Sequence, residues 1–460
     1  MKKVVFALAT LAIVSCKKED VKPVDYALFS GKITNNNTDS VFVKGKDFSK
    51  AIVVKEDGTF SDTLKISNGK FIVKIGPETS GFHLKQGDNL NLTINTKEFD
   101  ETISYTGEGA VVNNYLAKAY MLEEVTNAKM NPRELFASAP EVFTSKVKAV
   151  LTSADSLLTS FDIKDVDFVA SAKKNNNFTY LAALKNYPNY YKMVTGGKEV
   201  VLPEGFSKEL EGLDLDNALD FDSSDAYKGL VMGDIQGKAT EATEKDSTLS
   251  FAMSFINQIK GLKSDNIKQA LLPNVAREIK AGNDESDAIY KEIIAIATDK
   301  KFKESLTKQL ADSKKLAKGN PSPIFENYEN HAGGTTSLAD LKGKFVYIDM
   351  WATWCGPCKR EIPFLKEVEK EFHGKNIEFV SISVDRKNAH ETWVNMIKEK
   401  EMTGVQLFAD NNFKSKFAVE YGVNSIPRFI LLDPNGNIVS ADAPRPSSPE
   451  LKTLLTEQGI

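Results

Sequence analysis

The chain contains 460 residues, of which 41% are hydrophobic and 27% charged, as in ordinary soluble globular proteins. At roughly 150 residues per domain, this length predicts about three domains. The formal net charge of −4 gives no reason to expect a nucleic-acid partner or electrostatic attraction to anionic membranes.

The first residues have the pattern of a secretion signal. A basic start precedes the apolar run Val4–Val14, which is too short to cross a bilayer as a mature helix. The residues just before Cys16 resemble a lipobox, which implies a signal peptide of residues 1–15, lipidation of Cys16 and a tether of residues 16–25. The lipid anchor would hold the protein in the cell envelope, outside the cytoplasm. The alternative is an ordinary cleaved signal with an incidental cysteine.

The segment Lys17–Asp20 leaves two placements open. It is either a flexible charged leader or, by resemblance, a signal that sends some lipoproteins to the outer cell surface. Periplasm-facing and surface-facing positions are both consistent with it.

Residues 26–108 carry short β-branched or alternating runs separated by turn residues, which predicts a small antiparallel all-β sandwich. The predicted strands include residues 41–43, 51–54, 71–75 and 90–94. His83 stands alone in an apolar stretch and is interpreted as a strand residue. The segment resembles an all-β domain of unknown function that precedes thioredoxin-like modules in lipoproteins, which implies a scaffold or docking role.

Residues 109–318 show helical periodicity, with apolar residues recurring at three and four, for example over residues 288–311. They predict a central α-helical region. Three tyrosines around Pro188 are interpreted as aromatic core at a helix break, with a peptide-binding patch as the alternative.

The segment Gly319–Pro323 predicts a linker, since its prolines cannot propagate a helix. Residues 319–460 then alternate strand and helix, which predicts a C-terminal α/β domain. Its predicted elements are a strand over residues 345–350, a helix over 358–372 and later strands over 377–384, 429–433 and 438–440.

Cys355 and Cys358 form a Cys-Gly-Pro-Cys pair between the first strand and the first helix of this domain. A helix start concentrates unpaired N–H groups and positive dipole, which favour a thiolate, so the spacing predicts a redox-active disulfide. No metal site and no cofactor are expected. A zinc site lacks further ligands at the right spacing, a c-type haem needs histidine where Lys359 stands, and a peroxiredoxin would use a lone cysteine in another loop.

Residues 321–460 resemble the TlpA-like family of membrane-tethered thioredoxin-fold disulfide reductases. Asp349 lies six residues before Cys355, Pro363 five after Cys358, and Ile426–Pro427 precedes a final hairpin, all as in that family. The resemblance implies a cis-proline at Pro427. A departure is Arg428, where threonine is usual, and it bears on substrate preference.

Roles follow for the individual residues. Cys355 is the expected nucleophile and Cys358 the resolving cysteine. Asp349 is the candidate base for Cys358, the alternative being a non-catalytic buried acid paired with a lysine. Trp354, Ile426 and Pro427 are expected to contact the substrate.

The function expected is reduction of protein disulfides, with electrons from a membrane thiol donor. The Gly-Pro between the cysteines resembles that of reducing thioredoxins, whose potentials lie at about −270 mV, so the resemblance implies a reductant. A disulfide isomerase or oxidase, or a tethered binding lipoprotein that uses the domain as a scaffold, are the alternatives.

Overall fold

The structure, a computed structural model, describes residues 24–460, so the predicted signal peptide and the lipidation site Cys16 lie outside the described residues. The chain divides into two compact units, one ending at Val231 and the other beginning at Met232. Each unit is described by itself.

The first unit begins with strands in which alternate residues are buried. Its strands are β1 (Tyr26–Thr34), β2 (Ser40–Gly45), β3 (Phe48–Val53), β4 (Thr59–Lys65), β5 (Gly69–Ile75), β6 (Glu78–Leu84), β7 (Asn89–Asn95) and β8 (Ser104–Gly107). They form two four-stranded sheets, in the orders β4-β1-β7-β8 and β3-β2-β5-β6. The pairs are antiparallel apart from β1 with β7, which run parallel.

The two sheets share one hydrophobic core. Phe29 of β1 packs against Phe60 of its own sheet at 5.4 Å and against Phe82 of the other sheet at 5.1 Å between ring centroids. The turn before β4 requires Gly58, whose φ is +80° and whose absent Cβ would lie 2.2 Å from a backbone oxygen. The all-β sandwich predicted for this region is therefore present. His83 lies in β6 as predicted.

Helices complete the first unit. They are α1 (Phe99–Thr102), which precedes β8, then α2 (Ala110–Lys129), α3 (Pro132–Phe136), α4 (Pro140–Ser160), α5 (Val166–Val194), α6 (Ala218–Ser223) and the start of α7 (Asp225–Lys245). Pro188 lies inside α5 without ending it, so the helix break expected there is absent. Tyr187 is fully buried against Phe143, at 4.2 Å between ring centroids, as core packing requires.

The second unit starts with helices and ends with an α/β domain. The helices after α7 are α8 (Phe251–Gly261), α9 (Asp265–Ala276), α10 (Ser286–Ile296) and α11 (Lys300–Lys315). The helices of residues 109–318 are thus shared between the two units, and the proposed three-domain division stays a prediction.

A seven-stranded sheet forms the centre of the α/β domain. Its strands are β9 (Tyr328–Asn330), β10 (Thr335–Thr336), β11 (Phe345–Trp351), β12 (Ile377–Ser383), β13 (Val405–Phe408), β14 (Arg428–Leu432) and β15 (Ile438–Ser440), in the order β10-β9-β13-β12-β11-β14-β15. The central strands β11, β12 and β13 are parallel, and β14 runs antiparallel to β11.

Four helices cover this sheet: α12 (Gly356–Glu371), α13 (His390–Glu399), α14 (Lys416–Glu420) and α15 (Pro449–Glu457). Apolar residues of α12 and α15 form one core cluster on the sheet, and those of α13 and α14 belong to another. The order and layering confirm the thioredoxin fold. Within residues 24–460, none of the helices combines the length and apolar character needed to cross a bilayer.

The segment Gly319–Pro323, which the sequence predicts as a linker, is hydrogen-bonded to the α/β domain that follows it. Gly319 N donates to Ile438 O at 2.7 Å, and Ser322 N donates to Gly436 O at 3.0 Å. The Ser322 hydroxyl is also hydrogen-bonded to the buried Tyr421 hydroxyl at 2.7 Å. Prolines remove only their own N–H groups, so Gly319 and Ser322 can still hydrogen-bond the segment to the β14–β15 hairpin.

Candidate active site

The two cysteines lie where β11 gives way to α12. A disulfide joins Cys355 and Cys358, whose Cα atoms are 5.3 Å apart. Cys355 is the N-cap residue of α12, and its sulfur accepts a hydrogen bond from Cys358 N at 3.1 Å. Pro357 occupies an opening position of the helix, where its missing N–H costs nothing. The Cys355 sulfur therefore sits at the positive end of the helix dipole, which favours a thiolate when the bond is reduced.

Exposure does not separate the two cysteines in the disulfide form. Cys355 is 4% exposed and Cys358 3%, so both sulfurs are buried to the same degree when the disulfide is closed. Trp354 is 62% exposed and contacts only one aromatic ring, that of Phe413, among the residues described. The indole therefore offers an open apolar surface next to the disulfide in sequence.

Asp349 is a buried acid on the sheet face beneath α12. It shares that face of β11 with Tyr347, which packs in the same cluster as residues of α12. Its Oδ1 atom is buried and has no hydrogen-bond partner. Burial first, and then the negative charges of Glu361 and Glu369, raise the pKa of Asp349 to about 8. The charged groups that shift this pKa are acids of α12. The lysine that would pair with Asp349 if it were a non-catalytic buried acid is not among them.

Glu361 is a second buried acid that the sequence prediction did not include. Its carboxylate accepts hydrogen bonds from Ser447 N and Ser447 Oγ, both at 3.0 Å, which ties α12 to the loop before α15. It lies three residues after Cys358, on the same face of the helix. That spacing is the signal by which it could have been found.

Asp385 is a third buried acid and was also missed. It is 1% exposed and follows β12, at the edge of the sheet where β11 ends. It accepts hydrogen bonds from Thr353, in the loop that leads to Cys355. The signal in the sequence is an acid directly after a predicted apolar strand, because functional groups collect at the carboxyl ends of the parallel strands of an α/β sheet.

The loop before β14 completes the site. The Ile426–Pro427 peptide bond is cis. Ile426 packs against the hydrophobic cluster that contains both cysteines. The structure thus brings Ile426 and the two cysteines to one end of the sheet.

Arg428, the departure from the usual threonine, is turned into the domain. Its Nε donates to Ala441 O at 2.9 Å, and its guanidinium lies 3.6 Å from the Asp442 carboxylate. The side chain is only 17% exposed. These contacts hold the arginine within the domain, and the effect on substrate preference expected from the sequence stays a prediction.

The first unit contains a large, mostly apolar cavity of about 1580 Å³, lined by strand ends and by α2, α4 and α5. None of the buried polar atoms that lack a partner within residues 24–460 belongs to a residue that lines it. The cavity thus shows no unpartnered buried polar atom that would point to a ligand.

Comparisons with known proteins concern the C-terminal domain. The AhpC/TSA family model matches residues 318–441. The thiol-disulfide oxidoreductase ResA of Bacillus thuringiensis is 30% identical over 130 residues, which cover 28% of this chain and 71% of that protein. ResA of Bacillus subtilis is 29% identical over 129 residues, covering 28% of this chain and 69% of that protein.

Solved structures match the same part of the chain. The thioredoxin domain of a Bacteroides vulgatus thiol-disulfide oxidoreductase is 28% identical and covers 31% of this chain and 98% of that one, with a TM-score of 0.29. A Bacteroides fragilis thiol-disulfide oxidoreductase is 26% identical and covers 31% and 100%, with a TM-score of 0.27.

Proposed function

Since the chain belongs to the TlpA-like family of thioredoxin-fold thiol-disulfide oxidoreductases, we propose that it reduces disulfide bonds of proteins outside the cytoplasm. The observation that carries this proposal is the Cys355–Cys358 disulfide at the N-terminus of α12, with Cys358 N donating to the Cys355 sulfur. The disulfide is the oxidised form of the pair, which under this proposal the enzyme reaches after one turnover.

The first step is attack by Cys355. Its thiolate, stabilised by the helix N-terminus, attacks one sulfur of a substrate disulfide. A bond forms between Cys355 and that sulfur, the substrate S–S bond breaks, and the other substrate sulfur leaves as a thiolate that takes up a proton.

The second step is resolution by Cys358. Asp349 accepts the proton of the Cys358 thiol, directly or through a water molecule, and the new thiolate attacks the Cys355 sulfur. The enzyme disulfide forms and the substrate leaves as a dithiol, so two electrons pass from enzyme to substrate. Because the pKa of Asp349 is raised to about 8, most of this carboxyl group is protonated at neutral pH, and the ionised fraction, which is a stronger base than an ordinary aspartate, accepts the thiol proton.

Substrate contacts are assigned to the apolar surface around the dithiol. Trp354 offers its exposed indole, and Ile426 and Pro427 offer backbone and side chain on the loop before β14. An extended polypeptide segment beside its disulfide would meet these groups first.

The cellular setting rests on the sequence. Cys16 is the proposed lipid attachment site, which would place the enzyme in the cell envelope, facing either the periplasm or the outer surface. A reductase there needs electrons from outside, and a membrane thiol carrier is the donor we propose. No metal or further cofactor takes part in these steps.

The proposal is tested by reduction of a disulfide-bonded protein such as insulin, with dithiothreitol as the electron source. We expect the wild-type chain to accelerate reduction and Cys355→Ser to be inactive. Cys358→Ser should accumulate a mixed disulfide between Cys355 and the test protein, because the resolving step is lost. If Cys358→Ser turned over like the wild type, the assigned roles would be wrong.

A further inference from the structure

A buried carboxylate outside the dithiol holds the loop that carries Cys355. Asp385 Oδ2 accepts hydrogen bonds from Thr353 N at 2.8 Å and from Ser383 Oγ at 2.9 Å, and Oδ1 accepts from Thr353 Oγ1 at 2.9 Å. Both carboxylate oxygens therefore act as acceptors. Two of the three bonds go to a single residue of the active-site loop.

Asp385 is itself fixed to the central sheet. Trp351 and Ser383 are register partners in β11 and β12, and Val384 N donates to Trp351 O at 2.9 Å. Asp385 N donates to Ser383 Oγ at 3.1 Å. The carboxylate is thus attached to two parallel strands at the edge where the active-site loop begins.

The position of Thr353 affects the position of the Cys355 sulfur, which lies two residues later in the same loop. Thr353 is 6% exposed and is held through both its backbone and its hydroxyl. Cys355 N then donates to Ala352 O at 3.0 Å, and the Cys355 sulfur accepts from Cys358 N. Moving Thr353 would therefore shift the N-cap sulfur relative to the helix N-terminus.

A carboxylate buried to this degree is costly unless its oxygens are hydrogen-bonded. A buried apolar residue would complete the same core without that cost. What the carboxylate supplies is two acceptors aimed at Thr353, which an apolar side chain cannot provide.

We propose that Asp385 is a positioning residue for thiol-disulfide exchange, which acts through Thr353 to hold the Cys355 sulfur at the N-terminus of α12. The inference rests on the proposed function of Cys355 as nucleophile. Exchange requires a thiolate that the helix N-terminus stabilises and that is correctly aimed at the target sulfur, and both depend on where the N-cap sulfur lies.

Two pairs of variants separate geometry from charge. In Asp385→Asn the amide oxygen can replace Oδ2 and the amide nitrogen can donate to Thr353 Oγ1, so the contacts persist while the charge is lost. Asp385→Ala removes contacts and charge together. Thr353→Val removes only the hydroxyl contact, and Thr353→Ser retains it.

The measurement is the pH dependence of Cys355 alkylation by iodoacetamide in the reduced full-length chain, with the modified cysteine identified by mass spectrometry. For Asp385→Ala we expect the rate at pH 7 to fall on the order of tenfold, within the loss that a misplacement of about 1 Å causes. The titration midpoint should move to higher pH, because the thiolate loses the helix N-terminus. Thr353→Val should shift in the same direction by less, whereas Asp385→Asn and Thr353→Ser should follow the wild type.

The outcomes are separable. If Asp385→Asn reacts as slowly as Asp385→Ala, charge rather than position is responsible and the inference is wrong. It is also wrong if Asp385→Ala or, should that variant not fold, Thr353→Val lowers the melting temperature without moving the alkylation profile. If wild-type Cys355 reacts no faster than a free peptide cysteine, the proposed function fails as well. A fast wild type with unchanged variants overturns the positioning role alone.

Discussion

At the scale of single residues, the site contains acids whose burial costs folding free energy. Asp349 lies beneath α12. After burial, the charges of two glutamates of that helix contribute most to raising its pKa, and its Oδ1 has no hydrogen-bond partner. An acid in this setting stays protonated at neutral pH, when an ordinary aspartate has lost its proton. The native state therefore gives up stability at neutral pH to keep this acid buried, and its role as the base for Cys358 stays a proposal.

The Asp349→Asn variant tests this cost through its pH dependence. Because the pKa of Asp349 is raised to about 8 in the folded state and is about 3.9 in an unfolded chain, the folded state binds the extra proton between these values. Wild-type stability attributable to this group therefore falls as the pH rises from about 4 to about 8. Asparagine cannot ionise, so the stability of the Asp349→Asn variant does not fall in this way as the pH rises.

We expect Asp349→Asn to stabilise the oxidised protein by about 2–4 kcal/mol at pH 8–9 and by little near pH 4. The check is the free energy of unfolding from denaturant titrations at pH 4.5, 7 and 9. Asp284→Asn, at an exposed acid of the second unit, is the matched control and should show no such trend. A gain that did not grow with pH would mean that Asp349 is ionised in the folded state.

At the scale of elements, the strand–loop–helix crossover and the segment before it determine the site together. The sequence predicts the helix over 358–372, and the structure begins it at Gly356, since glycine and proline are acceptable in an opening turn. The predicted helical run over 288–311 is broken at residues 297–299, because the side chain of Asp299 accepts from Phe302 N and starts a new helix. An N-cap aspartate is a local signal that could have been read.

The segment before the α/β domain provides an element-scale prediction. Ser322→Ala removes the partner of the buried Tyr421 hydroxyl, which should cost about 1–2 kcal/mol of unfolding free energy. Tyr421→Phe is the matched control, because it removes the phenol oxygen itself. The double variant should lose less than the sum of the two single changes, and denaturant unfolding of the set measures this coupling. Additive losses would show that the segment is not part of the folded domain.

At the scale of the whole molecule, local patterns in the sequence predict candidate residues better than they predict how distant segments pair. The spacing of Cys355 and Cys358 and the family resemblance of Asp349 and Pro427 name the candidates within one domain, and their roles stay predictions. The parallel pairing of β1 with β7 joins strands some sixty residues apart, which alternation alone cannot reveal. The contact between Glu361 and Ser447 spans 86 residues, and the contact between Thr353 and Asp385 spans 32. Such contacts arise from the order of strands in the sheet, so only the folded chain shows them.

The lipid anchor is a whole-molecule prediction. If Cys16 is acylated, Cys16→Ala should leave the membrane fraction of producing cells and lose labelling by a radioactive or clickable fatty acid. Cys355→Ser, which changes the chemistry but not the anchor, should remain in the membrane fraction. Retention of Cys16→Ala together with its label would contradict the proposed attachment site.

The direction of electron flow is the central claim, and the reduction potential of the Cys355–Cys358 couple tests it most directly. Equilibration of the full-length protein with glutathione redox buffers, followed by thiol alkylation, gives this value. A reductase should have a potential near that of thioredoxin, about −270 mV. A value well above about −180 mV, the range of disulfide isomerases and oxidases, would contradict the proposal that this protein reduces its substrates.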